Sequence, residues 1–317
     1  MPLLPISPSN VARSAAVLRS GGVVAFPTET VYGLGAVVWD ARAVARIFEI
    51  KGRPAFDPLI VHVRDRAMLL RVATEVPDAA EALIERFWPG PLTIVVRKER
   101  AVGDLVTAGL ATVAVRMPAH PVARALLAET GEPLAAPSAN PFGRLSPTRA
   151  GRVADGLGES VDLVLDGGPS EYGVESTIVT LEPRPTLLRA GAIEAEAIEA
   201  VIGPLLRRAP PGPALAPGQL PVHYAPRTPL RVIEPARVPL SERARAGVLA
   251  LQDRFEGYAA ARRLSEGADL REAATVFFES LHELDALGLE RIDAQPLPER
   301  GLGLAMMDRL RRAAAAW

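Results

Sequence analysis

The sequence predicts an α/β protein built as two units joined by a proline-rich segment. Three observations carry this. Short β-branched runs alternate with helical periodicity over about the first 200 residues, prolines then crowd a stretch of the chain, and a second, shorter alternation follows. The strand candidates are residues 22–26, 59–63, 92–97, 112–116, 161–165, 176–181 and 187–189. Each is apolar and bounded by Gly, Pro or charge, as strands buried on both faces are. Apolar residues recur at helical spacing over 40–50, 78–87, 121–129 and 195–202. These elements make up a first unit over residues 1–202.

Residues 203–228 form the joining segment, dense in prolines (Pro204, Pro210, Pro211, Pro213, Pro217, Pro221 and Pro226), with Pro229 at its edge. Proline lacks the amide hydrogen that helices and central strands need, so the segment should run extended over the surface. A plain spacer satisfies that description. Its end, Val222-His223-Tyr224-Ala225-Pro226, is oddly specific for one. Beyond it, runs at 230–233 and 247–251 and amphipathic stretches at 270–287 and 306–315 predict a smaller, Rossmann-like α/β unit over 229–317.

Composition excludes several classes. The 317 residues are 49% hydrophobic and 23% charged, an ordinary globular balance. No apolar run reaches the roughly 20 residues a membrane helix needs, so no membrane role is expected. The N-terminus lacks the basic and apolar regions of a secretion signal. Cysteine is absent, which removes disulfides, thiolate nucleophiles and cysteine zinc sites and fits a reducing cytoplasm. A net charge of −1 argues against bulk phosphate neutralisation of a nucleic acid, and leaves only weak RNA binding through a local basic patch. The chain has two lysines, Lys51 and Lys98, and two asparagines, Asn10 and Asn140, so either type stands out inside a motif.

There is no GxxxxGK[ST] loop, no well-placed GxGxxG, no HExxH and no GxSxG elbow. Three constellations remain. At 26–34 a buried strand ends at a proline and delivers Thr28, Glu29, Thr30 and Tyr32 into a turn. They either face a ligand at a strand end or satisfy backbone donors locally. Lys51 and Arg53 close the 40–50 helix, where they complement its dipole or meet an anion. His62, between two valines, reads as a bonded core residue or as a site residue. Ser138 and Asn140 follow the apolar run at 133–136, and Ser176 and Thr177 open a further strand.

The ordered set FPTETVYGLGA, KGRP with PLIVHV, WPGPLT, TVAVRMPAHP, APSAN with SPT, DGG, GVESTIV, LLRAGAI and HYAP spans almost the whole chain. With these motifs the chain resembles the threonylcarbamoyl-AMP synthases, in the form that pairs a YrdC-like domain with a C-terminal extension. The resemblance implies a twisted mixed sheet flanked by helices in the first unit. It implies condensation of L-threonine, bicarbonate and ATP to threonylcarbamoyl-AMP and pyrophosphate, the product passing to a separate tRNA threonylcarbamoyl transferase. Matched residue by residue, it implies an ATP site of Lys51, Arg53, Asp57, Thr112, Ser138, Asn140, Ser146, Arg189 and Tyr224. Lys51 and Arg53 would be the catalytic cations. Thr30, His62, Arg116, Ala136 and Ser176 would hold threonine, and Mg2+ would accompany the phosphates. Asp57 stands where the family often has Asn. Two like charges about 4 Å apart cost about 4 kcal/mol at an effective dielectric of 20, so Asp57 either turns away from the phosphates or meets them across Mg2+, the expectation preferred here. The joining segment becomes a lid over the nucleotide. The competing readings are a carbamoyltransferase that makes carbamoyl-adenylate, disfavoured by the missing cysteines, and a double-stranded RNA-binding module, disfavoured by the charge.

Overall fold

A computed structural model of the chain describes residues 1–207 and 212–317. Pro210 and Pro211 of the proline run lie outside the described residues. The first unit is a ten-stranded mixed sheet of β1 (Leu3–Pro5), β2 (Val24–Phe26), β3 (Gly33–Val37), β4 (Ile60–His62), β5 (Leu92–Arg97), β6 (Thr112–Arg116), β7 (Leu134–Ala135), β8 (Leu163–Asp166), β9 (Thr177–Thr180) and β10 (Thr186–Arg189). Their spatial order is β1-β8-β2-β3-β7-β4-β6-β5-β9-β10. Parallel pairs such as β4/β6 and β5/β9 alternate with antiparallel pairs such as β5/β6 and β9/β10. The helices of this unit are α1 (Pro8–Arg19), α2 (Ala41–Lys51), α3 (Arg66–Leu69), α4 (Asp78–Phe87), α5 (Asp104–Thr107), α6 (Pro121–Thr130), α7 (Ala150–Leu157) and α8 (Ala195–Ile202). One continuous core of Leu, Ile, Val, Ala and Phe side chains fills the space between sheet and helices.

Periodicity placed α4, α8, β5 and β6 to the residue. It missed α1, whose start is nonetheless written in the sequence: Ser7 caps it by accepting from the Asn10 amide, and Pro8 fills the first turn. It also missed β3. Its two glycines read as a loop, yet Gly35 is needed because a Cβ there would lie 2.7 Å from the Phe26 ring on the neighbouring strand.

The second unit is a four-stranded, all-parallel sheet of β11 (Leu230–Val232), β12 (Ala246–Ala250), β13 (Ala260–Arg263) and β14 (Arg291–Ala294), in the order β11-β14-β12-β13. The short α9 (Leu240–Arg243) and the long α10 (Leu270–Asp285) and α11 (Leu302–Ala314) pack with it. Phe277, Phe278, Leu281, Met306 and Leu310 form the centre of its core. That core also takes in Val31, Leu145 and Val174 of the first unit, so the two units share apolar surface. Where α10 meets the first unit, Gly173 has φ +67°, and a Cβ on it would sit 2.1 Å from the Ala274 carbonyl oxygen.

The joining segment departs from the expectation of a surface spacer. Among its described residues it carries no helix or strand, as its prolines require, but it plunges inward: Ala216, His223 and Tyr224 are buried. Proline composition rules out a ladder but says nothing about burial. Here the aromatic pair supplies apolar surface that the core accepts. We call residues 212–228 the strap.

Candidate active site

The parallel pair β4/β6 sets the geometry. His62 and Arg116 are directly opposite in register at the carboxyl ends of these strands, the edge at which open α/β sheets present ligands. The turn after β2 supplies Thr28, Glu29 and Thr30, all buried. Thr28 and Thr30 share a hydrogen bond of 2.9 Å between their hydroxyls, and Arg116 donates to the Thr30 hydroxyl at 2.8 Å. Arg116 also faces Glu29 at 2.6 Å, with both side chains almost fully buried. Burial is the largest single influence on the Glu29 carboxyl and would raise it, but the Arg116 charge, together with hydrogen bonds from Arg116 and backbone amides, holds the group below its usual value. Across the cavity, the Ser176 hydroxyl lies 2.8 Å from that of Thr93 and accepts from Arg189 at 3.1 Å.

The cationic side is equally buried. α2 is capped by Asp40 and ends at Gly52 in the left-handed conformation. Lys51 does not complement the helix dipole from solvent; it turns inward and donates to the carbonyls of Ser138, at 2.6 Å, and Asn140. Burial and the Arg53 charge push its ammonium well below its ordinary value, with Asp57 opposing. Arg53 bonds the carbonyls of Asp57 and Pro58 at 3.0 and 2.7 Å, and its guanidinium lies 2.9 Å from the Asp57 carboxylate. Asp57 is fully buried, and burial raises its carboxyl against the pull of Arg53 and Lys51. It therefore faces protein cations, Arg53 first among them.

One cavity is lined by Thr30, His62, Arg116, Ala136, Ser138, Ser176, Arg53, Arg189 and Tyr224. Of the sequence-predicted residues, these are the ones it brings together. The others lie around it. Lys51 and Asp57 stand behind Arg53, and Ser146 donates to Glu175 at 2.6 Å. Asn140 lines a neighbouring cavity with Arg152 and His282, its amide bonding Pro141 and Arg144. Thr112 lies in a groove with Arg97, Thr180 and Leu215 at the far end of β6. Sequence reasoning missed Glu175, His223, Pro217 and Gly218, which also line the main cavity. GVEST and HYAP contained two of them, but a carboxylate or imidazole inside a motif gave no sign of which way it points.

The strap closes the cavity from above. The Arg189 guanidinium donates to the Pro217 carbonyl at 3.4 Å, and Tyr224 and His223 pack edge to face, 4.1 Å between ring centroids. The space left is about 50 Å³, whereas sites for drug-sized ligands run to roughly 300–1,000 Å³. A group the size of a nucleotide does not fit the space as it stands.

All four histidines are held below their ordinary value by burial. At His62, burial and the Arg116 charge bring the imidazole down to about 3 from 6.5. Above pH 6.5 this group is neutral in both folded and unfolded chains. As pH falls from 6.5 towards 3, only the unfolded chain takes up the proton, so stability drops by up to about 1.4 kcal/mol per pH unit. Urea unfolding of His62→Gln should therefore show a shallower pH dependence than the parent between pH 6 and pH 4. Equal slopes would show that His62 is not buried neutral.

The fold and cavity define a class: a mixed-sheet α/β protein with a small polar pocket beside buried cations. Residues 16–191 match the family model described as "Telomere recombination", of the Sua5, YciO and YrdC proteins, and residues 193–315 match "Threonylcarbamoyl-AMP synthase, C-terminal domain". The chain is 43% identical to a threonylcarbamoyl-AMP synthase of Bacillus subtilis, covering 96% of this chain and 92% of the relative. It is likewise 43% identical to one of Pyrococcus abyssi over 95% and 92%. The crystal structure of P. abyssi Sua5 complexed with L-threonine superposes with a TM-score of 0.92 at 40% identity, covering 99% of this chain and 97% of that one. The chain belongs to the threonylcarbamoyl-AMP synthase family. Among the described residues, no helix is long and apolar enough to cross a membrane.

Proposed function

We propose that this protein condenses L-threonine, bicarbonate and ATP into threonylcarbamoyl-AMP, releasing pyrophosphate. The observation that carries the reading is the single cavity. It puts a hydroxyl-and-guanidinium pocket (Thr30, Arg116, Ser176) directly beside two buried cations, Arg53 and Arg189. In this reading the threonine carboxylate meets Arg116, whose fork suits a bidentate carboxylate. Glu29 already takes part of that guanidinium, which fixes its orientation. Thr30, Ser176 and the Ala136 backbone supply polar contacts around the amino acid. His62, neutral at neutral pH, adds a hydrogen-bonding imidazole without adding charge.

The chemistry asks for no protein nucleophile. The threonine amine adds to bicarbonate to give a carbamate and water. A carbamate oxygen then attacks the α-phosphorus, and the bond to pyrophosphate breaks. Holding the reactants in line and stabilising the charge on the phosphates are the protein's tasks. Arg53 and Arg189 face the cavity for that role. Lys51 supports it from the wall, fixing the carbonyls of the Ser138–Asn140 turn.

Mg2+ fits poorly as a protein-held ion. Among the described residues, no three His, Asp or Glu side chains cluster to hold a metal. Asp57 has both oxygens without a hydrogen-bond partner, yet it lies against the Arg53 guanidinium and is pulled on by Lys51. A dication beside these charges would be repelled, so in this reading any Mg2+ arrives with the phosphates and water as its ligands. A separate transferase would consume the product.

ATP-dependent pyrophosphate release, measured with threonine and bicarbonate omitted in turn, tests the reading. Release should require both. Turnover that persists without threonine would assign the protein a different reaction.

A further inference from the structure

We propose that Arg309, carried by the last helix of the second unit, is a positioning residue for the active site, holding Tyr224 of the strap and Glu175 of the cavity wall in one arrangement. The proposal rests on the reaction assigned above. Arg309 is 1% exposed, although it is a guanidinium. Its Nε donates to the Glu175 carboxylate at 3.0 Å, and its guanidinium carbon lies 5.1 Å from the centre of the Tyr224 ring. Both of these contacts belong to cavity-lining residues, while Arg309 itself does not line the cavity. The other Glu175 oxygen accepts from Ser146 at 2.6 Å, and its backbone oxygen accepts from the Ala192 amide at 3.0 Å. The carboxylate is thus locked between the units, one residue before Ser176.

Two neighbouring contacts fix the strap to the same helix. Arg312 donates to the Leu220 carbonyl, and the His223 amide donates to the Arg312 carbonyl at 3.4 Å. α11 therefore grips the strap on both sides of His223. Tyr224 is held there in the left-handed region, at φ +62°, a conformation a bulky residue keeps only when its surroundings impose it. A desolvated cation over an aromatic face is a contact strong enough to impose it.

The test uses the full-length chain with Arg309→Met, Arg309→Lys and Tyr224→Ala. Chymotryptic cleavage after Tyr224, followed by mass spectrometry, should be faster in Arg309→Met than in the parent. The specificity for ATP in pyrophosphate release should fall about 10- to 30-fold, as loss of a desolvated cation–π contact produces. Arg309→Lys should recover part of both, because it keeps a cation over the ring. In a Tyr224→Ala background, Arg309→Met should cost less than it does in the parent, because only the Glu175 contact is left to lose. Unchanged cleavage after Tyr224, or losses that multiply in the double variant, would overturn the proposal and leave Arg309 an interface residue only. Should Arg309→Met fail to fold, Arg309→Lys is judged on the same two readouts. A parent without threonine-dependent turnover would sink the assigned reaction, while the proteolysis arm would still decide the role of Arg309.

Discussion

Arg53→Ala is expected to destabilise the protein by about 3–5 kcal/mol and to lower turnover by a further factor of about 10²–10³, two losses with different origins. The first follows from Asp57. With no exposed surface and its carboxylate 2.9 Å from Arg53, it would be left as a buried charge without that partner. The second follows from the place of Arg53 in the cavity beside Arg189, where phosphate charge would be met. A companion variant separates them. Arg53→Met with Asp57→Asn removes both charges at once, and replacing a buried pair with uncharged groups of similar volume is often close to neutral. Urea unfolding should then return near the parent value while pyrophosphate release stays low. If turnover recovers together with stability, Arg53 holds up the loop and does nothing for the phosphates.

Tyr224→Ala is the second large effect, and it should raise both binding rates, by unequal factors. Tyr224 is 2% exposed and packs against His223, Phe278 and Arg309 over the cavity. With only about 50 Å³ beneath it, opening must precede entry of ATP. Removing the ring should speed association, and it should speed dissociation by more, giving about 10- to 100-fold weaker retention of ATP in the presence of threonine, as for truncation of a central aromatic anchor. Tyr224→Phe should retain most of the affinity, since the ring makes the contacts with Arg309 and Phe278. Stopped-flow binding of a fluorescent ATP analogue reads both rates. An unchanged dissociation rate in Tyr224→Ala would mean that the strap does not cover the nucleotide.

Much of the fold was legible because it depends on local pattern. Residues 92–97 and 112–116 alternate or run apolar over one strand's length, and 78–87 has a clean helical face. The short β1 and β7, at three and two residues, are defined by their pairing with β8, β3 and β4 and carry no period to read. The site divides in the same way. The motifs named Thr30, His62, Arg116, Ser176 and Arg189 as candidates, and the sheet register explains why His62 and Arg116 meet. The backbone bonds of Lys51 and Asn140 were not legible. The rarity of the two residues marked them as unusual but could not tell a side chain aimed at a ligand from one bonded to backbone carbonyls. Glu29 and Arg309 were invisible as partners, because their contacts join residues 87 and 134 positions apart (116 − 29 and 309 − 175). No window along the chain contains both.

Gly173 carries one more consequence. Any side chain there would act as a shim of more than one ångström between the two units, because the Ala274 carbonyl already occupies the space. Glu175 and Ser176 follow within three residues, so a wedge at this seam would reach the cavity wall before it reached solvent. Substitutions on the facing surface of α10 should therefore behave in a genetic screen like active-site lesions, although none of those residues lines the cavity. Selection on catalysis in the first unit is also selection on the shape of the second.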